Sequence, residues 1–297
     1  MTAAASSVAE LTEIRARRPQ AVAEAAAARR RRPLLGGDGR LLLVAADHPG
    51  RGALGVRGEP AAMASRSDLL RRLQEALSRP GVDGVLGTAD VLEDLLLLGA
   101  LDDKVVIGSM NRGGLQGAVF ELDDRFTAYD PATIAAMGFS GGKMLARIDL
   151  DDPATVTTLG ACGAAVTALA ARGLLAMVEP FVCRRSGGRV TNDLTPQAVV
   201  RSVAVCQALG ATSAYTWLKV PVVAEMERVM DATTLPTLLL GGDPVGDPDA
   251  TYATWSNALR LPSVRGLVVG RALLYPQDDD VAAAVDLAAG LVRGARP

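Results

Sequence analysis

Lysine is the scarce cation of this sequence: of 31 basic residues, only Lys104, Lys143 and Lys219 are lysines. Arginine carries the ordinary surface charge, so a lysine inside an apolar run invites a chemical reading. A guanidinium stays protonated, whereas a lysine amine can be made neutral and attack a carbonyl. Lys219 sits in Trp217-Leu218-Lys219-Val220-Pro221, and Lys143 lies between Gly141-Gly142 and Met144-Leu145-Ala146. Two carboxylates close similar runs, Asp47 after Leu-Leu-Leu-Val-Ala-Ala and Glu179 after Ala-Met-Val. A nucleophilic amine, a second cation that lowers its pKa and carboxylates that move protons are the parts of imine chemistry. Any one of these residues alone reads as a strand cap or half of a buried ion pair. Four on separate segments are costly to bury without a task. Lys219 has the more apolar flanks and is the better nucleophile; Lys143 is the neighbouring cation.

The segments that must position them alternate short apolar runs with amphipathic stretches. Strands are predicted over 41–46, 82–86, 104–108, 143–148, 174–179, 214–220, 237–240 and 266–269. Between them, Ser67 is placed to cap a helix carrying Leu69, Leu70, Leu73 and Leu77 on one face. Asp152-Pro153 and Thr195-Pro196 read as caps followed by proline, with Gly173 and Gly210 as stops. A last helix is predicted over 280–292. Eight strands alternating with helices, none joined by a tight hairpin, predict an α/β fold: a parallel (β/α)8 TIM barrel over residues 41–297. A doubly wound open sheet is the weaker alternative, since Asp47-His48-Pro49-Gly50 is no glycine-rich phosphate loop. Residues 1–40 read as an N-terminal helical extension, with Val8, Leu11 and Ile14 at helical spacing. Its Arg29–Arg32 run reads as a solvated helix end.

Barrel chemistry sits at the C-terminal strand ends, where Asp47, Lys143, Glu179 and Lys219 would converge. Lys104 opens its strand at the opposite rim, next to Asp102-Asp103, and reads as structural. The last two strands end in Gly241-Gly242-Asp243 and Gly270-Arg271. Glycines there expose backbone N–H groups at the usual phosphate site of barrels, and Arg271 adds a charged fork. His48 reads as a hydrogen-bonding rim residue, and Arg51 is the basic residue nearest to it. Cys162 and Cys206 read as buried helix residues, and Cys183 lies close enough to the mouth to line it.

These motifs resemble the Schiff-base (class I) aldolases of the fructose-bisphosphate, tagatose-bisphosphate and deoxyribose-phosphate group. Ala-Ala-Asp47-His48 is similar to the first-strand Asp motif, and Lys143-Met-Leu-Ala-Arg-Ile-Asp to the strand-four lysine segment. Glu179 stands where tagatose-bisphosphate aldolases hold a proton-transfer glutamate. Trp-Leu-Lys219-Val-Pro resembles the imine-forming strand, and Gly270-Arg271-Ala the phosphate-binding Gly-Arg. The resemblance implies a metal-independent, cofactor-free lyase. In it Lys219, Glu179, Lys143 and Asp47 act on a sugar phosphate held by Gly241, Gly242, Gly270, Arg271, His48 and Arg51. The proton carrier is Glu179 or Asp47. The first strand departs from the family in continuing His48-Pro49, and the long insert from Asn111 to Gly138 resembles a subgroup found with inositol catabolism. That subgroup implies cleavage of 5-dehydro-2-deoxygluconate 6-phosphate to dihydroxyacetone phosphate and malonate semialdehyde. Other sugar phosphates, a magnesium-dependent enzyme on the same fold and a non-catalytic sugar-phosphate-binding barrel are the alternatives. Arg51, Arg112, Arg147 and Arg184 are the candidates for the substrate's distal end.

Composition excludes other classes. A net charge of −2 and 3% aromatics do not make a nucleic-acid binder. Three separated cysteines make no disulfide framework, and a lone histidine leaves little for zinc. No apolar run spans a membrane and no signal peptide is evident, so a soluble cytoplasmic protein is expected, with homo-oligomerisation left open.

Overall fold

The structure, a computed structural model, describes residues 5, 7–111, 114–242 and 247–294. Eight parallel strands form a closed barrel: β1 (Leu41–Ala46), β2 (Gly84–Gly87), β3 (Val105–Ser109), β4 (Gly141–Ile148), β5 (Leu175–Ser186), β7 (Thr216–Pro221), β8 (Thr237–Leu240) and β9 (Val264–Val269). Closure follows from β1 pairing with both β2 and β9 and from β4 pairing with β5.

The strand residues sort by parity, as the two-residue period of a strand requires. One phase fills the barrel with Leu41, Leu43, Ala45, Leu86, Val105, Ile107, Leu175, Met177, Trp217, Leu238 and Val268. The other, including Leu42, Val44, Val106, Ala176, Val178 and Leu218, packs against the surrounding helices. Continuing the inward phase toward the C-terminal ends brings in Asp47 after β1, Lys143 on β4, Glu179 on β5 and Lys219 on β7. The floor of the site is therefore the top of the hydrophobic filling.

Several expectations need correction. A hairpin does occur: β5 runs on into an antiparallel pair with β6 (Arg189–Asn192). Gly187 and Gly188 turn it, both with positive φ (56° and 78°), as a two-residue hairpin of this hand requires. The cap of helix α3 (Arg66–Ser78) is Ser65, not Ser67; the Ser65 hydroxyl accepts the Asp68 N–H. The arginine run is not a solvated helix end. It leaves α2 (Ala21–Ala28) in an extended course beneath the barrel, where carbonyls and carboxylates await it. Arg29 is buried and donates to the carbonyls of Leu101, Lys104 and Gly138. Arg30 pairs with Asp102 and Asp103, Arg32 with Asp83, and Leu34 packs under the interior cluster. Because Arg30 takes both aspartates, Lys104 instead donates to the Val82 carbonyl at 2.7 Å, a structural role at the rim opposite the site.

Thr195 caps helix α7 (Pro196–Cys206) as the sequence suggests. Helix α6 (Ala154–Ala170) has Pro153 at its N-cap in place of the expected Asp152, which instead accepts the Ala154 N–H from one residue earlier. Leu11, Ala21 and Ala26 of the N-terminal segment join the outer core. No described helix is long and apolar enough to cross a membrane.

Arg29→Met keeps most of the side chain's length but strips three carbonyls of their charged donor. It is expected to lower stability by about 2–3 kcal/mol in urea unfolding. A loss near zero would show that water replaces the guanidinium freely.

Candidate active site

Each central side chain arrives on a different strand. Lys143 Nζ lies 2.9 Å from Asp47 Oδ2 and 2.6 Å from Glu179 Oε2. The other oxygen of Glu179 is 3.0 Å from Lys219 Nζ. The four groups thus form one chain, Asp47–Lys143–Glu179–Lys219, with two positive and two negative charges. Lys143 and Lys219 side chains are only 4% and 5% exposed, so the chain is held largely away from water.

Burial alone would push the two carboxyls up and the Lys143 ammonium down. The facing charges reverse all three. Lys143 and Lys219 hold Asp47 far below the ordinary carboxylate range. They also draw Glu179 down to about 2. Asp47 and Glu179 together hold Lys143 above the ordinary lysine range. Lys143, pinned as an ammonium by two carboxylates, cannot serve as an amine nucleophile in this arrangement. Lys219 touches one carboxylate and borders the interior at the C-terminal end of β7.

The glycine side of the mouth is built for close approach. At Gly270 a Cβ would meet the Ala45 carbonyl at 2.4 Å and His48 Cε1 at 3.2 Å. At Gly241 it would meet Val269 Cγ1 at 2.5 Å, whereas Gly242 faces open space with φ +67°. Asp243 lies outside the described residues. Arg271 lines a cavity of about 270 Å³ with Gln116, Arg57 and Glu59. A larger cavity of about 520 Å³, beside Tyr252 and Leu287, holds none of the lysines or carboxylates of the chain and is set aside on chemical grounds.

His48 opens a single 3-10 turn (His48–Arg51) directly after Asp47. Its Nδ1 is buried without a hydrogen-bond partner, 3.8 Å from Asp47 Oδ1. Burial drives the imidazole down to about 3, against the pull of Asp47 and with added repulsion from Arg271, Lys219 and Arg51. The ring is therefore neutral at working pH. The expected hydrogen-bonding rim role is not made within the described residues.

The four distal-end candidates separate. Arg147 shares the inward phase of Lys143 on β4, and Arg51 lies at the end of the turn after Asp47. Arg184 has the outward parity on β5 and is exposed. Arg112 lies outside the described residues. Sequence reasoning missed Glu121, which is 3% exposed and salt-bridges Arg147 at 2.7 Å. Asn111, the first residue of the insert, clamps it to β4, exchanging bonds with the Leu145 backbone and donating to Asp124. Nothing in Phe120-Glu121-Leu122-Asp123-Asp124 marks one acid as buried; only Arg147, four residues after Lys143, offered a signal. The insert also reaches the first loop, where the Gln116 N–H donates to the Arg51 carbonyl at 3.0 Å. Burial raises the thiol pKa of Cys162 to about 12 and of Cys183 to about 11, and Cys206 shifts the same way.

Comparison with known proteins adds the following. The sequence profile of the Cgl0159-like family matches residues 39–289. The crystal structure of Cgl0159 from Corynebacterium glutamicum is 58% identical, with 95% of each chain covered and a TM-score of 0.93. An archaeal fructose-1,6-bisphosphate aldolase, solved with its catalytic Lys covalently bound to a carbinolamine intermediate, is 16% identical. It covers 92% of this chain and 100% of its own, with a TM-score of 0.65. A fructose-bisphosphate aldolase from Slackia heliotrinireducens is 15% identical over 86% of each chain, with a TM-score of 0.61. The last two likenesses are of fold. No curated protein sequence matches the chain.

His48 is the chain's one histidine, so its ring resonances are read without ambiguity. They are expected to show no titration between pH 8 and about pH 4.5, because the folded value is about 3 against 6.5 for a free ring. Below pH 6.5 the unfolded chain binds a proton that the folded chain does not, so stability falls as pH drops from there. His48→Asn removes that slope; an inflection near 6.5 in the folded protein would contradict the buried neutral ring.

Proposed function

The chain belongs to the Cgl0159-like family, and we propose that it is a class I lyase cleaving a phosphorylated keto-sugar through a Schiff base on Lys219. The observation that carries this reading is the buried chain Asp47–Lys143–Glu179–Lys219 at the barrel mouth. It pins one lysine as a cation and sets the other beside a single proton acceptor. The archaeal aldolase of the same fold, with its lysine bound to a carbinolamine, lends the reading support by analogy.

The steps use the groups in place. The substrate phosphate sits against Gly241, Gly242, Gly270 and Arg271, with His48 beside Gly270. Lys219 passes a proton to Glu179, its Nζ adds to the ketone carbon next to the phosphorylated carbon, and a second proton moves from that nitrogen to the former carbonyl oxygen. Glu179 returns its proton to the carbinolamine hydroxyl, which leaves as water, and the resulting iminium draws electrons. Glu179 takes the proton from the hydroxyl two carbons away, that carbon becomes an aldehyde, and the C–C bond breaks. The bond's electron pair passes into the iminium as an enamine. Protonation of the enamine carbon and hydrolysis then release dihydroxyacetone phosphate and free Lys219. Asp47 holds Lys143 in place, and the Lys143 ammonium keeps positive potential beside the reacting nitrogen. The substrate is 5-dehydro-2-deoxygluconate 6-phosphate, its second product malonate semialdehyde, and the reaction needs neither metal nor cofactor. The enzyme works in the cytoplasm.

Borohydride reduction in the presence of dihydroxyacetone phosphate is expected to leave the reduced adduct on Lys219, located by peptide mass. Lys219→Met is expected to lose turnover by about 10⁴-fold or more, and Glu179→Gln by about 10²–10⁴-fold. A label on no lysine, with dihydroxyacetone phosphate bound, would mean a sugar-phosphate-binding barrel without this chemistry.

A further inference from the structure

Two guanidinium groups beside the reacting chain take no part in these steps. Arg147 projects from β4 in the phase of Lys143 and is 5% exposed. Its Nη1 and Nη2 go to the Glu121 carboxylate and carbonyl, at 2.7 and 3.1 Å, while its buried Nε has no partner. Arg51 makes no hydrogen bond or ion pair through its side chain among the described residues, and its Nε is also buried without a partner. The charges acting on Arg51 are those of Arg147, Glu179, Asp47 and Glu121, so it lies within electrostatic range of both the lysine chain and the Arg147–Glu121 pair. Burial lowers its pKa, with repulsion from Arg147 next.

The insert is shaped around this pair. Gly117 donates its N–H to Glu121 Oε2 at 2.9 Å, so both carboxylate oxygens are held. At Gly114, with φ +77°, a Cβ would meet the Glu121 carbonyl at 2.0 Å and Arg147 Nη2 at 2.3 Å. No side chain fits there, and the backbone is pressed onto the ion pair.

We propose that Arg51 and Arg147 form the subsite for the substrate end remote from the phosphate, that this end is a carboxylate, and that Glu121 makes the choice by neutralising Arg147. The proposal rests on the Schiff-base reading and deepens it. The charge balance decides the class. The Asp47–Lys143–Glu179–Lys219 chain is neutral and so is Arg147 with Glu121, which leaves, among these described residues, the single charge of Arg51. A carboxylate matches one charge. A phosphate monoester carries about −1.5 to −2 at pH 7 and would leave buried negative charge uncompensated. The Arg51 guanidinium, without a hydrogen-bond or ion-pair partner among the described residues, is a planar fork that suits the flat, two-oxygen carboxylate.

The test compares two aldehydes in condensation with dihydroxyacetone phosphate: 3-oxopropionate (malonate semialdehyde), which ends in a carboxylate, and glyceraldehyde 3-phosphate. The wild type is expected to favour the carboxylate by at least tenfold in kcat/KM. Arg51→Gln is expected to raise KM for 3-oxopropionate at least tenfold, with Arg51→Lys recovering part of it. Lys219 labelling by dihydroxyacetone phosphate, which has no distal end, persists in both. Glu121→Gln keeps the shape but frees the charge of Arg147, and is expected to shift preference toward the phosphorylated aldehyde by tenfold or more. A wild-type preference for glyceraldehyde 3-phosphate, or an unchanged KM in Arg51→Gln, would overturn the proposal. If no lysine is labelled, the imine reading falls. The subsite is then decided by calorimetry with 3-hydroxypropionate, whose binding must weaken at least tenfold in Arg51→Gln.

Discussion

The ammonium of Lys143, held between Asp47 and Glu179, is the interaction on which the rest of the site depends. Buried without it, the two carboxylates would repel each other and take up protons, and Glu179 would lose the orientation that leaves its second oxygen on Lys219. Buried without them, Lys143 would lose its charge. A mutual arrangement of this kind is stable only when the geometry is good on every side. The barrel supplies that by delivering each group from a rigid strand. Closure of the sheet and the strength of the electrostatic chain are thus one constraint seen at two scales.

Much of this could be read before the fold was seen, because strands have period two and barrel mouths are polar. Lys219 and Glu179 declared themselves as charges in otherwise apolar runs, and Asp47 as the polar stop of the first. The same parity rule would have set Arg184 aside and kept Arg147, since residues four apart on a strand share a face. What could not be read depends on partners distant in sequence. Glu121 is one acid in a loop of acids until Arg147 meets it. The Arg29–Arg32 run resembles any basic helix end until the acids and carbonyls of the lower rim are placed beneath it. The hairpin beyond Cys183 was signalled by Gly187-Gly188, a pair that suits a tight two-residue turn. A strand that ends at Glu179 hides it.

The two rims divide the labour of the molecule. Below, arginines of the N-terminal segment satisfy strand-end carbonyls and aspartates, and Leu34 seals the hydrophobic filling. Above, the insert and the first loop are joined by one backbone hydrogen bond and cover side chains that remain strongly charged. The lower-rim arginines engage partners through their terminal nitrogens, Arg29 leaving only its Nε without one. At the upper rim the whole Arg51 side chain lacks a hydrogen-bond or ion-pair partner among the described residues, and this difference marks which end faces a ligand.

Strand β4 carries Lys143 and Arg147 on a single rigid rod. At about 3.3 Å of rise per residue, the four-residue step sets their Cα atoms roughly 13 Å apart along the strand. No loop movement can alter that interval. The strand therefore fixes both anchor points, and only the reach of the two long side chains can bring their charged ends closer together. Respacing β4 cannot fit the site to a shorter or longer molecule; the far contact would have to move onto the insert, whose length the sheet does not fix.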